Sequence, residues 1–88
     1  MTQTILKIDE LESNPNIHGG RPIITGTTIK VSEVALLRTT GEQLLPAQIA
    51  EHYHLSLGQV YAALTYYYLH QAEIDEQILR DAEETERK

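Results

Sequence analysis

The sequence predicts a mainly α-helical domain, with three core helices that include a helix-turn-helix, a β-hairpin before them and a further helix after them. Three observations carry this prediction. Residues 49–64, IAEHYHLSLGQVYAAL, place apolar and small side chains where two helices meeting at a corner need them. Pro22-Ile23-Ile24 and Thr27-Thr28-Ile29-Lys30-Val31 are runs rich in β-branched residues on either side of Thr25-Gly26, the pattern of a tight hairpin. Ile74, Ile78 and Ala82, with Leu79 beside them, recur every fourth residue in an otherwise charged C-terminal stretch.

Residues 4–8 alternate polar and apolar in the manner of a half-buried strand, which Asp9, Glu10 and Glu12 end. Asn14-Pro15-Asn16 reads as a turn, and Gly19-Gly20 supplies backbone free to take positive φ before Arg21-Pro22. A lone hairpin is barely stable in water, so residues 22–31 must pack on the helices, pair with the first strand or pair with a second copy of the chain. Ser32 is the expected N-cap of a helix over 32–40, with Val34, Ala35 and Leu37 inward and Gly41 closing it. Pro46 suits the first turn of the next helix, over 46–53, in which Ile49 and Tyr53 lie one turn apart and Ala50 is small enough for a close crossing. His54 stands at the turn, where a left-handed backbone is tolerated at some cost, and Leu55 plugs the corner. Ser56 then caps a helix over 56–69 whose Val60, Ala63, Leu64 and Tyr67 share one face. Because successive helical residues are about 100° apart, the run Tyr66-Tyr67-Tyr68 splits, with Tyr67 and Tyr68 turned inward and Tyr66 outward. The result is a single domain made of an arm (1–31), a three-helix core (32–69) and an acidic C-terminal helix (70–88).

Eighty-eight residues bury only about 60 to 65 per cent of the surface the unfolded chain exposes, so a homodimer is expected, with Ile23, Ile24, Ile29 and Val31 of the hairpin at its interface. The absence of cysteine excludes disulfides, thiolate metal sites and cysteine nucleophiles. Neither an export segment nor a long apolar run is present, which implies a cytoplasmic protein with no membrane partner. The net charge of −6 argues against a generic polyanion binder, but the charge is unevenly spread. Residues 69–88 hold seven acids against three bases, whereas residues 17–41 carry Arg21, Lys30 and Arg38 against Glu33 alone.

If the corner reads DNA, its second helix presents Leu57, Gln59, Tyr61, Ala62, Thr65 and Tyr66 outward. Gln59 can pair with adenine, Thr65 with a base or phosphate and Tyr61 with a phosphate oxygen, with Ser56 at the same helix start and Lys30 and Arg38 as backbone-phosphate contacts. Against this, residues 57–68 contain no lysine or arginine, so a corner used only for packing is a real alternative. His18-Gly19-Gly20-Arg21 has the composition of an anion-binding nest. It lacks the ending and the preceding buried strand of a phosphate loop, which favours a simple turn. His52 and His54 straddle a helix end and His18 and His70 lie elsewhere, so no metal site is assigned. No nucleophile, base and orienting acid stand at a recognisable spacing, so neither an enzyme nor a cofactor is expected.

Pro15, the run His18-Gly19-Gly20-Arg21-Pro22-Ile23-Ile24-Thr25-Gly26-Thr27-Thr28-Ile29-Lys30-Val31, then Gly41, Ile49, Tyr53, Leu55-Ser56, Val60 and Ala63-Leu64 together resemble the domain-of-unknown-function family 433 over residues 8–69. That family is grouped with antitoxins of the VapB type. The resemblance implies a homeodomain-like three-helix core, a dimer, and pairing with a toxin nuclease in a type II toxin-antitoxin system. Members usually carry arginine where this chain has Thr28, so any contact made by that arginine is missing here. The outward Tyr66 suits a partner surface, and the narrow apolar stripe of Ile74 and Ile78 suits either a partner's groove or the protein's own dimer. VapB-type antitoxins cover their toxin with C-terminal segments, so the resemblance makes Arg80, ahead of Arg87 or Lys88, the residue that would enter an acidic toxin site. The expected function is therefore a dimeric DNA-binding antitoxin. The alternative is a dimeric protein-interaction module that binds no DNA.

Overall fold

The computed structural model describes residues 10–86. The chain runs β1 (Leu11–Glu12), a left-handed turn around His18–Gly20, β2 (Ile23–Ile24), α1 (Val31–Thr39), α2 (Pro46–Tyr53), α3 (Leu57–Leu69) and α4 (Gln71–Glu86). None of these helices is long and apolar enough to cross a membrane.

The N-terminal ribbon differs from the expected hairpin. Residues 4–8 lie outside the described residues, and the strand that is seen, β1, includes Glu12, which was expected to lie beyond a strand end. β1 pairs antiparallel with β2, Leu11 opposite Ile24 and Glu12 opposite Ile23. The chain then turns through Ile24-Thr25-Gly26-Thr27, where the Thr27 N–H donates to the Ile24 carbonyl at 3.0 Å and Gly26 supplies the positive φ of 80° such a turn requires. The returning arm makes only a bridge between Ile23 and Lys30, with the Ile24 N–H on the Ile29 carbonyl at 2.9 Å, before Val31 enters α1. β2 is thus the middle lane of a three-lane ribbon. Its Ile23 and Ile24 are fully buried within one chain, as is Val31, while Ile29 packs half-buried against the core. The expected dimer contact through these side chains gives way to an intramolecular one, because both sides of β2 are already paired.

α1 begins one residue earlier than expected. Lys30, not Ser32, is its N-cap, and the Lys30 N–H is taken by Glu33 Oε2 at 2.8 Å, half of a capping box. Ser32 falls inside the helix and is buried, its Oγ without a partner among the described residues. α2 starts at Pro46 and ends in a Schellman arrangement: His54 is left-handed (φ 58°, ψ 45°), and the Leu55 N–H reaches back to the Ala50 carbonyl at 2.8 Å. Leu55 packs against the core as the corner plug. Ser56 caps α3 through the Gln59 N–H at 3.1 Å, and Gln59 Oε1 accepts the Ser56 N–H at 2.8 Å in return.

α3 is the central helix, touching α1, α2 and α4. Val60, Ala63, Leu64 and Tyr67 face the core as their spacing predicts, with Val34, Ala35, Ile49 and Ala50 from α1 and α2. Two outward assignments are corrected. Ala62 is buried, and Tyr66 is half-buried while Tyr68 is exposed. Leu11 of the ribbon shares a groove with Ala62, Thr65, Tyr66 and Leu69, where Ala62 is buried and Tyr66 half-buried while Thr65 and Leu69, like Tyr68, remain exposed.

α3 and α4 are separate helices, broken at His70 (φ −129°, ψ 41°), whose N–H still bonds back to the Tyr66 carbonyl at 2.9 Å. α4 then folds back along α1. Ile74 is completely buried and Ile78 half-buried against the core, whereas Ala82 and Leu79 are exposed. The apolar stripe expected to meet a partner is therefore folded onto the chain itself, and its inward phase is 74, 78, 81 rather than 74, 78, 82.

Two stability tests follow. Ile74→Ala is expected to cost about 2 to 5 kcal/mol in urea unfolding, and Leu79→Ala less than about 0.5 kcal/mol. Equal losses would mean that α4 is not docked as described. Because a side chain pays about 1 to 2 kcal/mol for a left-handed backbone, His54→Gly should be at least as stable as the parent and His54→Val clearly less stable.

Candidate functional site

Two surfaces contain the residues singled out from the sequence. The first is the outer face of the α2–α3 corner. Tyr61 and Thr65 are exposed there, with Leu57 one turn before Tyr61. The other two residues assigned to DNA are committed to helix geometry: Ser56 Oγ and Gln59 Oε1 are the reciprocal partners of the capping box. The Ser56 O–H, which donates nothing in the box, and the amide nitrogen of Gln59 remain to be offered outward. α3 contains no charged residue from Leu57 to Leu69, and its exposed side is largely apolar, with Leu57, Tyr61, Tyr68 and Leu69 all about half exposed or more. Base readout by such a face would have to rely on Tyr61, Thr65, the Ser56 hydroxyl and the Gln59 amide nitrogen.

The second surface lies where the basic arm meets α4. Arg21 Nη1 donates to Asp81 Oδ1 at 2.7 Å and Lys30 Nζ to Asp81 Oδ2 at 3.0 Å. Burial alone would raise the Asp81 carboxyl, but the hydrogen bonds from Arg21 and Lys30 and their two charges outweigh it and hold the group below its ordinary value. Lys30, expected to meet phosphate, is thereby committed to a carboxylate of its own chain. Arg38, in the last turn of α1 where its charge complements the helix dipole, is the one described lysine or arginine outside an ion pair. Arg80 is exposed on α4 and pairs with Glu76 one turn earlier.

The remaining candidates are dispersed. Tyr66 stacks on His70 with ring centroids 4.2 Å apart, Ile74 lies in the core and Ile78 at its edge. His18 Nε2 sits 2.8 Å from the Thr28 carbonyl, and His52 meets Tyr53 edge-on. The Gly20 and Arg21 N–H groups are spent on the Ile17 and His18 carbonyls at 3.0 and 3.3 Å, so His18-Gly19-Gly20-Arg21 is a turn that aims Arg21 at α4 rather than an open nest.

Asp81 is the residue that the sequence reading missed. With Ile74 and Ile78 it stands at i, i+4, i+7, so helical periodicity already placed an acid in an inward position, and an inward acid needs a cation.

The sequence profile of a family described as a protein of unknown function (DUF433) matches residues 11–67, from β1 almost to the end of α3. α4 and Asp81 lie outside the match. No curated protein and no solved structure matches the chain.

Asp81→Asn is expected to destabilise the fold by about 1 kcal/mol, the scale of a partly exposed ion pair, or about 4 to 8 °C in melting temperature for a domain of this size. A carboxyl whose folded pKa is depressed contributes its stability above the unfolded value and loses it as the pH falls through the folded value. The difference between the two proteins should therefore be full at neutral pH and vanish in strong acid. A difference independent of pH would assign the loss to packing instead.

Proposed function

The chain belongs to the DUF433 family, and we propose that it is an antitoxin of a type II toxin-antitoxin pair, acting as a dimeric regulator that binds DNA through the α2–α3 corner. The observation that carries this reading is the corner itself. Two helices joined by a left-handed residue at His54, with a plug at Leu55 and a capped second helix, support a helix-turn-helix reading, with Tyr61 exposed in the first half of α3 and Thr65 exposed one turn further on. Arg38, outside any ion pair among the described residues, is the described cation best able to meet a phosphate. The dimer and toxin contacts fall to surfaces that are exposed. Tyr68 and Leu69 at the end of α3 suit a second copy, and Leu79 and Arg80 on the outer face of α4 suit a toxin.

The charge-free α3 favours a second reading, a dimeric interaction module that binds no DNA, because phosphate contacts come from lysine and arginine. Electrophoretic mobility of the DNA upstream of the chain's own gene, at several salt concentrations, separates the two. Under the regulator reading Tyr61→Ala and Thr65→Ala alter sequence preference. Arg38→Ala weakens every complex and lowers the salt slope by about 0.9, the increment for one phosphate. If no duplex is retarded at any salt concentration, the interaction module is the better account.

A further inference from the structure

The surface cleft lined by His18, Gly19, Arg21, Lys30, Asp81 and Glu84 divides its charge by element. Its cations come from the segment before α1, and both of its acids come from α4. Arg21 and Lys30 converge on the two oxygens of one carboxylate, an arrangement that equally suits two oxygens of a phosphate.

α4 is not seated evenly along its length. Its first turn is fixed by the buried Ile74 and by the Tyr67 hydroxyl donating to Asp75 at 2.8 Å. Its last turns expose Ala82, Glu83, Glu84 and Thr85, and between them and α1 lies a cleft of about 190 Å³ whose lining includes Glu33, Leu36, Ile78, Asp81 and Ala82. Lifting the end of α4 therefore gives up the Asp81 ion pairs and little apolar contact, whereas lifting its start would open the core. Asp81 and Glu84 would leave together. Among the described residues lining these clefts, the cations would keep Glu33 as a neighbouring acid, its Oε2 already engaged by the Lys30 N–H.

We propose that Arg21 and Lys30 form a site for a backbone phosphate of nucleic acid, and that Asp81 and Glu84 at the end of α4 occupy it as an internal substitute until phosphate displaces them. This rests on the DNA-binding reading above and adds to it a built-in competitor. The tethered carboxylate is always present at high effective concentration, so the unmodified chain binds phosphate weakly at this site, and neutralising Asp81 removes the competition.

The test titrates three full-length proteins onto a fluorescent DNA duplex across a salt series: the parent, Asp81→Asn, and Asp81→Asn combined with Arg21→Ala and Lys30→Ala. Asp81→Asn should bind about tenfold more tightly near 0.1 M salt, with a log-log slope steeper by about 0.9, and the triple variant should return to the parent's behaviour. Glu84→Gln, which leaves the ion pairs in place and so protects against a folding defect in Asp81→Asn, should give a smaller change of the same sign. Unchanged affinity and slope in Asp81→Asn, with Arg38→Ala still weakening the parent, overturns the latent site and leaves the DNA reading intact. If no variant binds duplex, the DNA reading fails, and inorganic phosphate followed by side-chain NMR of Arg21 and Lys30 decides the rest. Saturable shifts in Asp81→Asn that are lost in the triple variant support the anion site with free phosphate as its occupant; no shifts overturn it.

Discussion

Ile74 has no exposed surface, and to bury it the chain must break at His70 and lay α4 back along α1 and α3. A domain this small cannot leave an isoleucine unburied at little cost, because its total stability is only a few kcal/mol and a buried aliphatic side chain is worth about 1.5 to 3 of them. The reversal that this burial demands sets the path of α4 and carries Asp81, two turns further on, to the basic arm. Arg21 and Lys30 are then paired with a residue 60 and 51 positions away in sequence. The turn at His18–Gly20 and the middle-lane position of β2 work toward the same end, since together they hold Arg21 and Lys30 on the side of the molecule where α4 passes.

Charge and shape diverge as a consequence. The acidic C-terminal helix is not a detached tail. It lies against the most basic segment of the chain and neutralises it locally, while α3, the helix that a DNA-reading corner would present, is left uncharged and partly apolar on its outer side. Helices that are apolar on nearly all sides are usually covered, which makes the exposed end of α3 the natural place for another protein surface. The half of α3 next to the capping box has polar groups to offer, and the half next to His70 has mainly rings and a leucine.

Much of the core was legible in the sequence because helical periodicity is a local property. Val60, Ala63, Leu64 and Tyr67 repeat at the spacing of one face, Pro46 and Ser56 carry the chemistry of helix starts, and His54 and Leu55 sit where a helical corner turns. The candidate site was legible only in part. Tyr61 and Thr65 are outward as their phase requires, but the same phase could not say which flank of α3 the ribbon would adjoin, and so the exposures of Tyr66 and Tyr68 were read in reverse.

The sequence by itself determined where α2 and α3 start, the main apolar positions of α3, and that bases and acids collect in opposite halves of the chain, since each of these follows from residue type and spacing along a few turns. The tertiary structure alone decided that β2 is paired on both sides, that Ile74 belongs to the chain's own core, and that Lys30 faces a carboxylate instead of solvent. These are contacts between distant segments. Their outcome depends on the path that brings α4 back over α1, and no local pattern encodes the direction of that path.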